Sequence, residues 1–186
     1  VDIAARALTL IGANPISSFD DTSTEATVAN NMYEDVSRAA LCMARGRFAT
    51  NQKVLNLLTD APTGRFDQAY QLPSDLLMLH ALTVNDLVVD YTVYGDKAFA
   101  DTNEADQVVA DFTFRAEENT WPSYFTLAVE YQLASIFAAA IARDDGLMRI
   151  MDEKAKLSMS QARTLDSQQQ TTRKLITNRF KVERRS

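Results

Sequence analysis

The side chains that could act as nucleophiles, general bases or metal ligands are few and far apart in this sequence. His80 is the single histidine and lies in the apolar run Leu77–Leu82, which favours a structural role over that of a base or a ligand. Cys42 is the single cysteine and lies in an alanine-rich segment, where a small buried hydrophobe is more frequent than a nucleophile. One imidazole and one thiol do not make a zinc site. We therefore expect no metal, no cofactor and no enzymatic activity.

Three pairs of adjacent acids offer another route to acid–base or magnesium chemistry. Each pair is expected where a helix begins or in its first turns, because the unpaired N–H groups and the helix dipole favour carboxylates there. The sequence thus predicts capping rather than catalysis. The pairs are Asp20–Asp21, Asp144–Asp145 and Asp152–Glu153. The five glycines are solitary, so no glycine-rich phosphate loop is present.

Charge distinguishes the end of the chain from the rest. The formal net charge is −6, yet residues 171–186 carry six basic residues and one acid, a balance of +5 that leaves −11 for residues 1–170. An acidic body would repel nucleic acid, whereas the basic tail could bind an acidic protein surface or phosphate. The tail has too few apolar residues to fold alone, so we expect it to become ordered on a partner.

The elements that position these residues are organised around one apolar segment, Trp121–Arg143. Its large apolar residues recur every three or four positions, and alanines widen the same face, which predicts a central helix packed on more than one side. The length would also allow a membrane span. Glu130 and Gln132 interrupt the apolar run, which favours a buried helix in a soluble protein.

Three further amphipathic helices are predicted, at residues 3–11, about 25–45 and 147–165. A capping box from Thr22 to Glu25 would begin the second helix. The apolar face expected for the second helix consists of Val28, Met32, Val36, Ala39, Ala40 and Met43. The face expected for the last helix consists of Leu147, Ile150, Met151, Lys154, Leu157, Ser158, Ala162 and Leu165.

Between the second and third helices the pattern changes to short runs rich in β-branched and aromatic residues. These runs are separated by Asp, Asn, Pro and Gly, and they predict an antiparallel meander with hairpin turns at 85–86 and 95–96. The runs are Val54–Leu58, Phe66–Leu72, Leu76–Val84, Val88–Tyr94, Lys97–Ala100 and Gln107–Arg115.

The fold class expected is α+β, mainly a bundle of about four helices with an inserted antiparallel β-meander and an extended C-terminal arm. In this division residues 1–170 form one domain, with the bundle at 1–46 and 121–170 and the β insertion at 47–120. Residues 171–186 form the basic tail.

Several stretches, taken in order, resemble the tail tubular protein A family of short-tailed bacteriophages. Residues 7–21 (ALTLIGANPISSFDD) are similar to the family's opening helix, Gly, Pro-Ile and Ser-Leu-Asp-Asp segment. Residues 47–50 (RFAT) resemble its Trp-x-Phe-Ala element without the tryptophan, and residues 70–77 (YQLPSDLL) follow its Tyr-x-Leu-Pro-x-Asp-Cys-Leu strand entry. Residues 125–142 and 161–163 match its two closing helices.

The resemblance implies a structural virion protein without catalysis, assembled in the host cytoplasm and located at the neck of the tail. It would form a ring, expected to be a dodecamer, between the portal protein and the tail nozzle, with genomic DNA passing through the centre without specific binding and with no membrane partner. The tail would dock on the portal. The tail residues expected to do so are Arg173, Lys174, Leu175, Ile176, Arg179, Phe180, Lys181, Val182, Arg184 and Arg185.

A second hypothesis belongs to another functional class. The chain could be a DNA-binding or regulatory protein that places its basic tail on phosphate, in which case binding would weaken steeply with salt on unrelated sequences.

Overall fold

The structure is a computed structural model that describes residues 1–59 and 64–169. Over these residues the fold is α+β, with four α-helices and two antiparallel sheets, which confirms the predicted class. The helices are α1 Asp2–Leu10, α2 Thr24–Ala44, α3 Ser123–Phe137 and α4 Asp145–Gln168. The strands are β1 Thr50–Val54, β2 Asn56–Leu57, β3 Gln68–Gln71, β4 Leu76–Val84, β5 Leu87–Val89, β6 Tyr91–Tyr94, β7 Lys97–Ala100 and β8 Val108–Phe114.

Helix α3 is central, as its apolar pattern predicts, and it contacts α1, α2 and α4. Phe125, Leu133 and Phe137 are fully buried along its length. A π-helical turn, Ala138–Ala142, extends the helix, and Arg143 ends it in the left-handed conformation. Small residues around the large ones let three neighbours approach α3 closely, so most of the helical core is built on it.

The same apolar stretch is the one described segment that could cross a bilayer by length and composition alone. It covers Ser123–Ala142, and 44% of its most apolar window is buried inside the protein. The core helix of a protein that spans no membrane passes the same test, so length and composition do not decide between the two.

The face that α2 buries differs from the predicted one. Ala26, Ala29, Tyr33 and Leu41 meet the helical core, whereas Met32 is 40% and Met43 is 47% exposed. Of the predicted face, Ala40 is buried, Val28 and Val36 are half-buried and Ala39 is exposed. The helix carries two apolar faces about 100° apart, and the face with the smaller side chains packs inward because it allows closer approach.

Helix α4 departs from its predicted face in the same way. Its buried residues are Met151, Ala155, Met159, Ala162 and Asp166. Three residues of the predicted face are largely exposed, namely Ile150, Leu157 and Leu165. A prediction from apolar periodicity favours the face with the largest apolar residues. The face that is buried instead has residues spaced by three and four positions, and these include two alanines and an aspartate.

The helix starts are only partly as predicted. Ser23, rather than Thr22, caps α2, and its hydroxyl accepts a hydrogen bond from the N–H of Ala26 at 3.2 Å. Asp144 caps α4, where its carboxylate accepts the N–H of Leu147 at 3.0 Å, as expected. Ser, Thr and Asp all favour this position, so the sequence locates a cap to within one residue but does not choose between adjacent candidates.

The β region is not a meander. The strand order is β1-β8-β4-β5 in one sheet and β2-β3-β7-β6 in the other, so β8 lies between β1 and β4, and β3 pairs with β7. Leu55 alone separates β1 from β2, and Asp90 alone separates β5 from β6. Each of these two continuous segments therefore belongs to both sheets. Eight strands therefore lie on six chain segments, and each segment pairs with the next until the ring closes, as in a small antiparallel barrel. We call this region the barrel.

The strand boundaries follow the predictions best where a strand is buried. The bounds of β4 and β7 are as predicted, and β8 lies within its predicted run. Strand β1 begins at Thr50, four residues before the predicted start, because its polar side chains are all exposed and show no apolar alternation. The turn at 85–86 is confirmed, and both residues adopt the left-handed conformation that a two-residue hairpin turn requires (Asn85 φ 50°, Asp86 φ 64°).

The helices and the barrel have separate cores that meet at one end of the barrel. Phe114, at the end of β8, packs against both cores. It pairs with Leu76, which sets this end of the sheet beside the helices. The same ladders place Val84 and Leu87 at the opposite end, which we call the distal end.

Candidate interaction sites

The single histidine and the single cysteine have structural surroundings. His80 is half-buried, and its Nε2 lies 2.7 Å from the hydroxyl oxygen of Thr113; burial lowers the pKa of His80. Cys42 is also half-buried, and burial raises the pKa of its thiol, which disfavours the reactive thiolate. Within residues 1–59 and 64–169, no group of three or more His, Cys, Asp or Glu side chains could hold a metal ion.

The three acid pairs play different local roles. Asp144 caps α4 as predicted, but Asp21 caps a loop: its Oδ2 accepts the N–H groups of Ser17 and Ser18, both at 3.1 Å. These backbone hydrogen bonds, from Ser18 first, lower the pKa of Asp21. Asp152 lies beyond the first turn of α4 and forms an ion pair with Lys156 at 2.6 Å. The expectation that each pair lies where a helix begins or in its first turns is wrong for Asp20–Asp21, because Asp21 caps a loop before α2.

The predicted tail site, Arg173 to Arg185, lies outside the described residues, which end at Gln169 after α4. Near the end of α4, Asp166 is 8% exposed. Its two carboxylate oxygens each lie 3.2 Å from the backbone N–H of Arg47, at the entry to the barrel. Tyr124 donates its hydroxyl to Asp166 at 3.4 Å, and Gln169 donates to Tyr124 at 3.3 Å.

A second contact fixes the same end of α4. The guanidinium of Arg163 donates two hydrogen bonds to the carbonyl oxygen of Met43, one of them from Nε at 2.9 Å, and so satisfies a carbonyl in the last turn of α2. The last turn of α4 is thus joined to the last turn of α2 and to the start of the barrel. The described residues end just beyond this point, at Gln169.

Arg115 connects the barrel to the helices. Its guanidinium forms ion pairs with Glu34 on α2 at 3.0 Å and with Glu118 at 2.6 Å. The guanidinium carbon Cζ lies 5.5 Å from the ring centroid of Trp121. Trp121 itself is buried and donates its indole N–H to the carbonyl of Ala116 at 3.0 Å.

The charges of this cluster stabilise one another. The hydrogen bond from Arg115 lowers the pKa of Glu34. Burial alone would raise the pKa of Glu118, but the same guanidinium lowers it. Burial alone would also lower the pKa of Arg115, yet its two carboxylate partners raise it. Burial, aided by the charge of Glu118, raises the pKa of Tyr33, whose hydroxyl donates to Glu118 at 3.3 Å.

The outer apolar face of α2 borders a shallow groove of about 250 Å³. Val36, Ala39 and Met43 line one side, and Ile136 of α3 lines the other. Together with the exposed Met32 they form what we call the α2 stripe, which consists of Val28, Met32, Val36, Ala39 and Met43. An apolar strip of this kind on the side of a helix is typical of protein–protein contacts.

A second exposed apolar surface lies at the distal end of the barrel. Leu87 is 72% and Val88 is 73% exposed, the highest values among the large apolar residues of the described chain. Leu87 also borders a groove of about 400 Å³ that includes three aspartates, Asp67, Asp101 and Asp106. Acidic and apolar groups therefore lie side by side at this end.

No family model matches the chain, and no curated protein matches it.

Two functional features were missed by sequence reasoning. Arg115 was placed only at the end of a strand, and nothing in its neighbours along the chain points to partners on α2. Asp166 does leave a signal, because it continues the buried row of Met159 and Ala162 at helical spacing. A charged residue at a buried position requires a partner, and that rule could have identified it as an anchor.

Proposed function

We propose that this protein is a head-to-tail adaptor of a tailed bacteriophage, forming a ring between the portal and the tail nozzle. The single observation that carries the proposal is the ordered series of motifs over residues 7–21, 47–50, 70–77 and 125–142. The α+β class, with helices at both ends of a β insertion, is compatible with it. The proposal assigns no catalysis, and DNA passes through the ring without specific binding.

Within this proposal the helices form the body of the ring. The α2 stripe supports that assignment, because it is an apolar surface along the side of the helical layer rather than at its end. Neighbouring subunits in a closed ring meet through two different surfaces of the same chain, so each copy needs such a lateral surface. The barrel would face the next tail component or the neighbouring subunit.

The tail residues 171–186 are assigned to the portal. Their charge balance of +5 suits an acidic partner surface, and Leu175, Ile176, Phe180 and Val182 supply apolar anchors. The anchoring of α4 through Asp166 and Arg163 supports the assignment, since it fixes the position from which the tail departs.

The test is the size of the purified protein alone and mixed with the portal protein, measured by light scattering. We expect ring-sized particles or a complex with portal. A monomer that neither assembles nor joins the portal would contradict the proposal.

Deleting residues 171–186 should leave the unfolding transition unchanged and abolish portal attachment. Normal attachment of the shortened protein would exclude the tail as the portal-binding segment.

The ring surface has its own test. Met32→Lys places a charge on the α2 stripe and should prevent assembly while leaving the helix intact, because Met32 is already 40% exposed. Asn31→Lys, an exposed neighbour on a different side of α2, is the matched control. Equal assembly by both variants would show that α2 does not meet the next subunit.

The basic tail also favours a second candidate, a DNA-binding or regulatory protein. Affinity for unrelated DNA should then fall steeply as salt rises. A gel shift without any complex at low salt would remove this candidate.

A further inference from the structure

We propose that the chain's own basic tail, residues 171–186, docks on the distal end of the barrel when no partner holds it. The receiving surface is the ridge of Leu87 and Val88 together with the acidic groove beside them. This inference does not depend on the phage assignment, because it concerns contacts within one chain.

The first argument is the combination of apolar and acidic groups. Val84, Leu87 and Val89 give the groove an apolar side, and Asp67, Asp101 and Asp106 give it an acidic side. Among the described residues that line the groove there is no lysine or arginine. Exposed apolar residues next to uncompensated acids fit a ligand with the converse pattern, in which apolar residues alternate with basic ones.

The tail has this converse pattern. Over residues 173–185 it contains Leu175, Ile176, Phe180 and Val182 among six basic residues and one acid. The remainder of the chain, residues 1–170, carries a balance of −11. The carboxylates can still accept from it: the Asp101 side chain accepts the N–H of Asp67 and the Asp106 side chain accepts from Asn103, and a carboxylate has about four acceptor positions.

The second argument is reach. The described chain ends at Gln169, which donates to Tyr124 at the start of α3. Tyr124 binds Asp166, which accepts the N–H of Arg47 at the entry to the barrel. Strand β4 has nine residues and runs towards the distal end, a distance of about 30 Å at 3.3 Å per residue. Extended chain covers about 3.3 to 3.6 Å per residue, so Leu175 to Phe180 can lie roughly 20 to 40 Å from Gln169. The apolar part of the tail therefore spans the distance to the groove.

The competing apolar surface is a poorer match. The groove beside the α2 stripe includes one acid, Asp152, whose carboxylate already pairs with Lys156 at 2.6 Å. A basic segment would gain little there, because the charge is already compensated.

The test is tryptic release of the tail from the full-length protein, followed by mass spectrometry, with a synthetic peptide of residues 171–186 as the reference. Trypsin cleaves after lysine and arginine, so the tail reports its own accessibility. Trypsin cuts only the undocked tail, so the cleavage rate follows the fraction of molecules in which the tail is undocked. A tail that is mostly docked should be cut about tenfold more slowly than the peptide. Raising the salt to 0.5 M should remove most of that protection, since exposed charge attraction is screened.

The variants distinguish this surface from others. Leu87→Ser/Val88→Ser, and separately Asp67→Asn/Asp101→Asn, should restore cleavage to the rate of the peptide, while circular dichroism stays unchanged. Ile150→Ser/Leu157→Ser, which alters exposed apolar residues of α4, is the matched control and should keep the protection.

Three outcomes would overturn the proposal. They are a wild-type tail cut as fast as the peptide, protection that survives both distal-end variants, and protection that increases with protein concentration. The last would identify the tail of a neighbouring copy as the occupant. The portal-binding experiment tests a different claim. A protein that joins the portal can show either a protected or an unprotected free tail.

Discussion

The helical layer and the barrel expose apolar surface in different places. The helices do so along their sides, at Met32 and Met43 of α2 and at Leu157 of α4, whereas the barrel does so at its distal end, at Leu87 and Val88. Side surfaces suit packing against equivalent neighbours, and an end surface suits a segment or partner that arrives from outside. The two parts of one chain therefore offer two kinds of contact.

The two parts also differ in how their cores are built. The helical core is organised on one helix with several fully buried large residues, whereas the barrel core is smaller and draws on both sheets. Phe114 belongs to the surroundings of both cores. Since they share this residue and the Arg115 cluster, we expect the two parts to unfold together.

The largest expected effect comes from emptying either core. Phe125→Ala in the helices and Phe112→Ala in the barrel should each lower the free energy of unfolding by about 3 to 5 kcal/mol, because both side chains are at most 1% exposed. Urea denaturation followed by circular dichroism measures this. Leu157→Ala is the exposed control and should change little. Two separate transitions in either variant would show that the parts are independent domains.

The next effect concerns the connection between the parts. Arg115→Gln removes the charge that holds Glu34 and Glu118, and it should cost about 1 to 3 kcal/mol by the usual value of hydrogen bonds to charged groups. Arg38→Gln, which removes only an exposed ion pair with Glu34, is the control and should cost less. An equal loss in both variants would show that Arg115 does not connect the parts.

The same cluster predicts a pH dependence. The folded-state pKa values of Glu34 and Glu118 lie below the ordinary value of 4.5, so the unfolded chain binds more protons as the pH falls. Their contribution to stability is full above about pH 5 and is lost as the pH falls below 4.5 through the folded-state values. Wild-type stability should thus fall more between pH 5 and pH 3 than that of Arg115→Gln. Parallel pH curves would contradict this.

A smaller effect is expected at the entry to the barrel. A Cβ on Gly46 would lie 2.2 Å from the ring of Phe48, which itself packs on Phe125 with 4.9 Å between ring centroids. Gly46→Ala should therefore cost about 1 to 2 kcal/mol through displacement of the ring. Gly12→Ala meets no neighbouring atom and serves as a steric control, although its φ of 76° adds backbone strain. Thermal unfolding of Gly46→Ala and of Gly46→Ala/Phe48→Leu tests whether the clash causes the loss. The smaller leucine side chain should relieve the clash with the new Cβ.

The smallest effect is a gain. Asp86 holds a φ of 64° at the second position of the β4–β5 turn, where glycine is preferred after asparagine. Asp86→Gly should raise the free energy of unfolding by about 0.5 kcal/mol through lower backbone strain. Asp86→Ala is the control, since it removes the charge but keeps the Cβ. A gain in the alanine variant would point to charge repulsion instead.

The sequence predicts those elements whose signal is local. The apolar period gives α3, the Asp144 cap gives the start of α4, and short runs bounded by turn residues give β4 and β8. It fails where tertiary packing decides. Strand β1 is polar because both of its faces are exposed, and the order of strands in the barrel depends on pairings between segments far apart in the chain.

The candidate sites show the same limit. Basic composition singles out residues 171–186, which lie outside the described residues, so their role stays a prediction. The sequence shows that the α2 stripe is apolar, but it does not show that the stripe faces outward. Helix α2 has two apolar faces, and nothing in the local sequence indicates which of them is buried. The distal ridge was recognisable only as a hairpin.

The attachment of Asp166 to the backbone of Arg47, with Arg163 gripping the last turn of α2, gives the chain a mechanical property. A pull on the C-terminal end of α4 would reach Asp166 and Arg163 before it reached Ala162, Met159 and the buried residues nearer the start of the helix. Tension applied there would therefore act first on the contacts of α4 with α2 and with the entry to the barrel.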